Sequence, residues 1–350
     1  MKALRVLEGN RLELVKRESV ALAPWEARAS VAISLVCGSD IKNIRLSSSK
    51  DRIPGHEFAG VITEVSNQAR EILNVGDRVT AFPMMPCHSC FNCEKRNYRD
   101  CEFKESLGGD VWPGSFATEL IIDSRMAIVL PRELSMEQGA MLEHLCCAYR
   151  FAKEAIESSF HVDSQILIIG DGPIAIGNLQ MLLLEGYKNI SILGKHWHRL
   201  KFAEELGAHN VFHIDELGDR GNIYQQKFDI CVLSAPSEAM ILNLSKAFSY
   251  GARIVEQTRF LDENLKQLLV SCGFVFKRAF AYHLSDFTEV AHLVITGTIK
   301  TDRLVTNRFS LETFGSGYPD VLAKHNNMKV AIICNETLFD SQNWIKNDKY

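Results

Sequence analysis

The sequence predicts an α/β chain in which a β-rich first part gives way to a doubly wound parallel sheet. Three observations predict it. Short β-type runs with turn punctuation, such as VAISLVCG, FAGVITEV and DRVTAF, fill the first 130 residues. From about Gln165 strands and helices alternate, the pattern of a parallel sheet. Near the end, HLSDFTEVAHLVITGTIK reads as a helix with a glycine stop, after which RFSLETF and KVAIICN read as a return to the first domain. A chain of 350 residues is long enough for two domains. No internal repeat or low-complexity stretch interrupts the scheme, and the polar tail after Asn335 is uninformative.

Composition narrows the functional classes. With 46% hydrophobic and 23% charged residues and a net charge of −4, nothing attracts nucleic acid. No apolar stretch approaches the roughly 18 residues that span a bilayer, and QILIIG and MLLLEG are cut by Gly or charge. The start, MKALRVLEGN, lacks an apolar run with a cleavage site, so the ten cysteines are expected to be reduced and the protein cytoplasmic.

The first constellation with chemistry is dispersed. Cys37 lies in LVCGSD, His56 and Glu57 in IPGHEFAG, and Glu143 in AMLEHLCCAY. Taken singly, each has an ordinary explanation: a buried thiol, a core histidine, an exposed helix carboxylate. Together they supply thiolate, imidazole and carboxylate donors with no common local spacing, the mark of a catalytic ion with one open position. The second constellation is local. Cys87, Cys90, Cys93 and Cys101 in PCHSCFNCEKRNYRDC have CxxCxxCx7C spacing, and tetrahedral zinc needs four thiolates about 3.7 Å apart. This loop is expected to hold a closed structural zinc, which makes two zincs per chain.

The third feature is a turn rich in glycine. The run Gln165–Ile169 leads into GDGPIAIG and then the helical NLQMLLLEG. Gly170 permits a tight turn, Gly172 lets the backbone approach phosphates, and Ala175 takes the third small position where helix packs on strand. Pro173 and Ile174 lie between them and complete this part of the candidate cofactor-binding set. The motif is weak alone, but the strand NISIL follows at the expected interval. At the end of that second strand an NAD site normally places Asp or Glu. This chain has LGKHWHRLK, with no carboxylate between Gly186 and Ala203. Lys195, Arg199 and Lys201 offer cations for a 2′-phosphate and Gly194 leaves room for it, so NADP is expected in preference to NAD. The alternative is that these cations solvate the next helix, RLKFAEELGA, with His196 and His198 on the surface beside them.

These landmarks occur in one order: CGSD at Cys37 to Asp40, GHE at Gly55 to Glu57, VGDRV at Val75 to Val79, the cysteine lobe, GSFATE at Gly114 to Glu119, LEHL around Glu143, and the loop at Gly170. Over nearly its whole length the chain resembles the zinc-dependent medium-chain dehydrogenase/reductase superfamily. CGSD and a glutamate third ligand make it more similar to polyol and threonine dehydrogenases than to liver-type alcohol dehydrogenases. The lobe followed by SLGGDVWPGSFATE is similar to galactitol-1-phosphate dehydrogenases. The resemblance implies a GroES-like catalytic domain (1–150, zinc lobe 86–102), a Rossmann domain (151–295) and a C-terminal return to the catalytic domain (296–350). It implies zinc and nicotinamide in a cleft between domains, a secondary alcohol, polyol or polyol phosphate as hydride donor, and a homodimer or homotetramer. Cys37, His56 and Glu143 would be ligands, with Glu57 able to exchange with the metal. Ser39 would take the alcohol proton and Asp40 would orient His56.

Some positions depart from the family pattern. Lys42 stands where polyol dehydrogenases have a proton-passing histidine, Ser66 replaces a common glycine, and His144 replaces the proline of an LEP motif, where a packing or surface role is expected for it. GARIVEQTRF replaces the glycine-ending strand beside the nicotinamide. Lys42, Arg45, Lys50 and Arg52 form either a phosphate-binding rim or a solvated loop. Two alternatives to the polyol enzyme stay open, a catalytically weakened zinc and nucleotide sensor and a threonine-type amino-alcohol dehydrogenase. A zinc-free quinone-reductase relative is disfavoured by the retained ligand set.

Overall fold

The structure is a computed structural model and describes residues 1–9, 11–46, 51–155, 161–217, 222–235, 238–257, 261–279, 281–323 and 327–343. The chain divides into two compact units, one of Met1–His144 with the segment from His283 onward, the other of Leu145–Tyr282. The division falls before the 150/151 and 295/296 boundaries expected from the sequence. The first break lies inside a continuous helix, Met136–Ala155, where no glycine or proline announces it.

In chain order the first unit opens with β1 (Lys2–Leu7), β2 (Arg11–Lys16), β3 (Glu26–Leu35), α1 (Gly38–Leu46), β4 (Glu57–Val65) and β5 (Arg78–Ala81). The lobe contributes β6 (Met84–Met85), α2 (Phe91–Glu94) and β7 (Glu105–Ser106), followed by β8 (Glu119–Asp123), β9 (Ala127–Val129) and α3 (Met136–Ala155). The second unit holds β10 (Ile166–Ile169), α4 (Pro173–Leu184), β11 (Ile190–Gly194), α5 (Trp197–Glu205), β12 (Asn210–His213), β13 (Phe228–Leu233), α6 (Glu238–Leu244), β14 (Phe248–Glu256), α7 (Glu263–Ser271) and β15 (Val275–Arg278). The chain returns to the first unit with α8 (Asp286–Ile295), β16 (Val305–Ser310), α9 (Leu311–Ala323), β17 (Lys329–Ile333) and α10 (Glu336–Asn343).

The main sheet of the first unit runs β16-β17-β3-β4-β5-β9, with β8 also on β3. Its register places the site. Leu35 of β3 pairs with Glu57 of β4, so the residues after β3 and before β4 meet at one sheet end. Ala331 of β17 pairs with Leu35 from the other side, and continuing that register two residues sets Lys329 level with Cys37. The segment RFSLETF is half strand and half helix. Ser310 closes β16 and its hydroxyl accepts the Thr313 amide at 3.1 Å, an N-terminal cap that starts α9 instead. Beyond Asn335 the chain is helical for the same reason, with the Asn335 side-chain Oδ1 accepting the Leu338 amide at 3.3 Å.

The second unit has a six-stranded sheet in the order β12-β11-β10-β13-β14-β15, all of whose pairs are parallel. Renumbered within the unit this is 3-2-1-4-5-6, so the chain reverses direction across the sheet at β10, the place where such sheets bind dinucleotides. Every residue of β10 and β11 is buried, as a sheet covered on both faces requires. Phe228, Phe248 and Phe274 meet edge to face in its core. Among the described residues no helix is long and apolar enough to cross a membrane.

Candidate active site and nucleotide loop

One ligand atom each of Cys37, His56 and Glu57 lie within 4.8 Å of one another. Backbone geometry that only glycine adopts holds this cluster. Gly55 has φ +102, and a Cβ there would come within 2.5 Å of the Phe116 ring. Its carbonyl accepts the Ser115 amide at 2.9 Å, so GSFATE fixes the loop that presents His56. Asp40, in the first turn of α1, is buried and accepts three donors: the Cys37 amide at 2.9 Å, the Gly55 amide at 3.1 Å and His56 Nδ1 at 3.2 Å. The last contact occupies Nδ1 and leaves Nε2 as the nitrogen available to a metal. Burial disfavours the imidazolium, yet Asp40 and then Cys37 hold the His56 pKa well above its ordinary value without a metal. Ser39 is exposed beside Cys37 at the start of α1.

The cluster carries its own cation. Lys329 of β17 is buried and its ammonium lies 2.8 Å from Oε1 and 2.6 Å from Oε2 of Glu57. It is also 3.4 Å from Nδ1 of His144. Burial raises the Glu57 pKa, but Lys329, His144 and His56 outweigh it and hold the carboxyl below its usual range. Lys329 in turn is raised against its own desolvation, chiefly by Glu57. Glu143, the sequence-derived third ligand, is buried on α3 next to His144. It stands outside the 4.8 Å group but close enough to contribute to the raised pKa of Lys329. Sequence reasoning missed Lys329, and gave His144 a packing or surface role whereas it touches the ammonium. The available signal was a lysine opening the otherwise apolar strand KVAIICN.

The four lobe cysteines form a second group within 4.8 Å. Their sulfurs are separated by 3.6 Å (Cys90–Cys93, Cys87–Cys101), 3.8 Å (Cys90–Cys101) and 3.9 Å (Cys87–Cys93). A tetrahedron of Zn–S bonds about 2.3 Å long has edges of this size, so the donors fit zinc. His88 at φ 56 and Arg96 at φ 56 turn the knuckle. Without metal, bonds from Ser89 lower Cys87 to about 6, while burial pushes Cys93 up to about 12. Nε2 of His88 meets Asp123 at 2.8 Å and anchors the lobe to the end of β8.

In the second unit Gly170 turns at φ +122, where a Cβ would press to 3.1 Å on Ala235. Gly172 caps α4, and a Cβ there would meet nothing within 4 Å. The space above it is open at a helix N-terminus, which fits a pyrophosphate. Pro173 and Ile174 are half-buried in the first turn and Ala175 is fully buried against the sheet. The end of β11 departs from the sequence reading. Asp171, inside the glycine motif, reaches across to it and accepts the Lys195 and His196 amides, both at 2.7 Å, and His196 Nδ1 at 3.0 Å. Arg199 Nη1 lies 3.4 Å away. Gly194 leaves room for this carboxylate: a Cβ there would come within 2.6 Å of Asp171 Cβ. Lys195 is exposed. Burial raises the Asp171 pKa, but the His196 and Lys195 amides and the His196 ring together lower it. The altered strand end is tied down locally, Gln257 accepting from Asn178 of α4 at 3.2 Å and Glu256 pairing with Lys266 at 2.7 Å.

Of the candidate phosphate rim, Lys42 and Arg45 are exposed on α1, Arg52 pairs with Asp110 at 2.9 Å, and Lys50 lies outside the described residues.

Residues 23–132 match the alcohol dehydrogenase GroES-like domain. The chain is 28% identical over 200 residues to L-idonate 5-dehydrogenase of Vitis vinifera, a match covering 55% of this chain and 54% of that one, about half the length of that relative. It is 28% identical over 330 residues to galactitol 1-phosphate 5-dehydrogenase of Escherichia coli K12, covering 88% of this chain and 92% of the relative. The crystal structure of galactitol-1-phosphate dehydrogenase from Escherichia coli superposes with a TM-score of 0.81 at 20% identity, over 95% of this chain and all of that one (100%).

Proposed function

We propose that the chain is a zinc-type alcohol dehydrogenase of the medium-chain superfamily, an oxidoreductase that moves a hydride between a secondary alcohol and NAD(P). The alcohol is a polyol or a polyol phosphate. The observation that carries this reading is the convergence of Cys37, His56 and Glu57 on one point. Bound there, zinc would act as a Lewis acid on the alcohol oxygen while the nicotinamide accepts hydride.

The chain's own residues prepare that chemistry. Cys37 and His56 are the fixed donors, one held through its backbone amide and the other through Nδ1, both by Asp40. Glu57 is kept ionised by Lys329, so it approaches or leaves the metal position as a carboxylate. Glu143 is the remaining oxygen donor, and we assign it as the third ligand. Ser39, exposed at the start of α1, takes the alcohol proton. The exposed cations Lys42 and Arg45 follow on the same helix and support a phosphorylated substrate. The four-cysteine lobe supports a second, structural zinc. For the cofactor, the NADP expected from Lys195 and Arg199 loses part of its support, because Arg199 is already engaged by Asp171 and of the two only Lys195 stays exposed. Ten unbonded cysteines support a cytoplasmic setting, and the family likeness supports a homodimer or homotetramer.

A panel of polyols and polyol phosphates, run with NAD and with NADP on protein of known zinc content, tests the assignment. The expected outcome is two zincs per chain and turnover that is higher on a phosphorylated polyol. Two zincs with no turnover on any alcohol would leave a sensor instead.

A further inference from the structure

The sequence places no carboxylate near the end of β11, where an adenosine ribose is read. The fold supplies one from elsewhere. Asp171 projects from the glycine loop over Gly194, into the space that a side chain at Gly194 would otherwise take. It is 7% exposed. Oδ2 is saturated by the Lys195 and His196 amides and His196 Nδ1 at 2.7, 2.7 and 3.0 Å, whereas Oδ1 has only Arg199 Nη1 at 3.4 Å among the described residues. Resting on the nucleotide reading above, we infer that Asp171 selects the cofactor, favouring an adenosine ribose with a free 2′-hydroxyl over one carrying a 2′-phosphate.

The chemistry of the two riboses decides the direction. A hydroxyl can donate to Oδ1, which retains acceptor capacity. A 2′-phosphate has only acceptors at physiological pH and brings about two negative charges against a fixed carboxylate. The cation best placed to offset that repulsion, Arg199, already faces Asp171. Lys195 and Lys201 remain, but both are exposed, where solvent and salt screen them. Asp171 therefore does from the loop what an acidic residue at the end of the second strand does in other dinucleotide sites.

The test is calorimetric titration of the full zinc-loaded chain with ADP-ribose and with 2′-phospho-ADP-ribose, in wild type and Asp171→Asn, with thermal melting of each as a check on folding. Wild type is expected to bind ADP-ribose about tenfold more tightly or better. Asp171→Asn keeps the shape but loses the charge, and should shrink that ratio at least about fivefold. Tighter or equal binding of the phosphorylated fragment by wild type overturns the inference, and that comparison stands even if the variant does not fold. Equal weakening of both fragments by Asp171→Asn also overturns it, since that is what a merely structural carboxylate gives. Failure of both fragments to bind at millimolar concentration removes the nucleotide reading itself, so the two failures are told apart.

Discussion

The two candidate metal sites of the first unit differ in how the chain supplies their donors and in what is buried beside them. The lobe takes four sulfurs from one short loop, and each has another within 3.9 Å. That arrangement leaves several ionisable thiols facing one another, and a zinc bound among them would close the lobe. The other site draws Cys37, His56 and Glu57 from two sheet-end loops and encloses Lys329 against Glu57. Its charge is partly balanced before any ion arrives. One cluster is made of four like donors, and the other mixes its donors with a buried counter-charge.

Substitutions should separate the two. His56→Ala is expected to lower kcat/KM at least about a thousandfold, the several kcal/mol supplied by a Lewis acid. It should remove one zinc of two and leave thermal melting within a few degrees. Cys93→Ser should also remove one zinc, but with a fall in melting temperature on the order of 10 °C, because structural zinc contributes folding energy directly. Elemental analysis, melting and turnover on the same samples check this. Similar melting losses in both variants would erase the distinction.

The internal cation gives the next largest effect. Lys329→Met strands a carboxylate that is fully buried (Glu57 0% exposed), and removal of one partner from such a pair costs about 3–5 kcal/mol. The double variant Glu57→Gln, Lys329→Met should recover most of that loss, since neither group is then left charged. Denaturant melts of the four proteins measure the coupling, and additive losses would show that the ion pair is not what stabilises this sheet end. Among the described residues the lobe holds no buried lysine or arginine.

What was legible in the sequence follows the same division. The lobe could be read outright because its four donors share one local spacing, and the glycine loop because strand, turn and helix are consecutive. Cys37, His56 and Asp40 became legible only as a set, since the register of β3 against β4 brings them together and spacing does not record register. Lys329 and Asp171 were not read at all. Each is a single charged residue in a segment already assigned, one opening an apolar strand and one sitting between two glycines. Their roles come from residues 272 and 24 positions away, Glu57 and Lys195.

The smallest effect lies where the lobe meets the sheet. Asp123 accepts Arg125 Nε at 2.9 Å and Nη2 at 2.6 Å and meets His88 Nε2 at 2.8 Å. Burial raises its pKa, but the Arg125 bonds and then the charge of His88 hold the carboxyl below its usual range. A group with a depressed folded pKa contributes its stability above the unfolded value, about 3.9, and loses it as pH falls through the folded value. Asp123→Asn should therefore cost about 1–2 kcal/mol at neutral pH. The gap from wild type should close in acid, and both zincs should be retained, because no sulfur donor is touched. A pH series of denaturant melts with zinc analysis tests it. Loss of the lobe zinc in Asp123→Asn would mean that the anchor, and not the thiol tetrad alone, sets the geometry of the closed site.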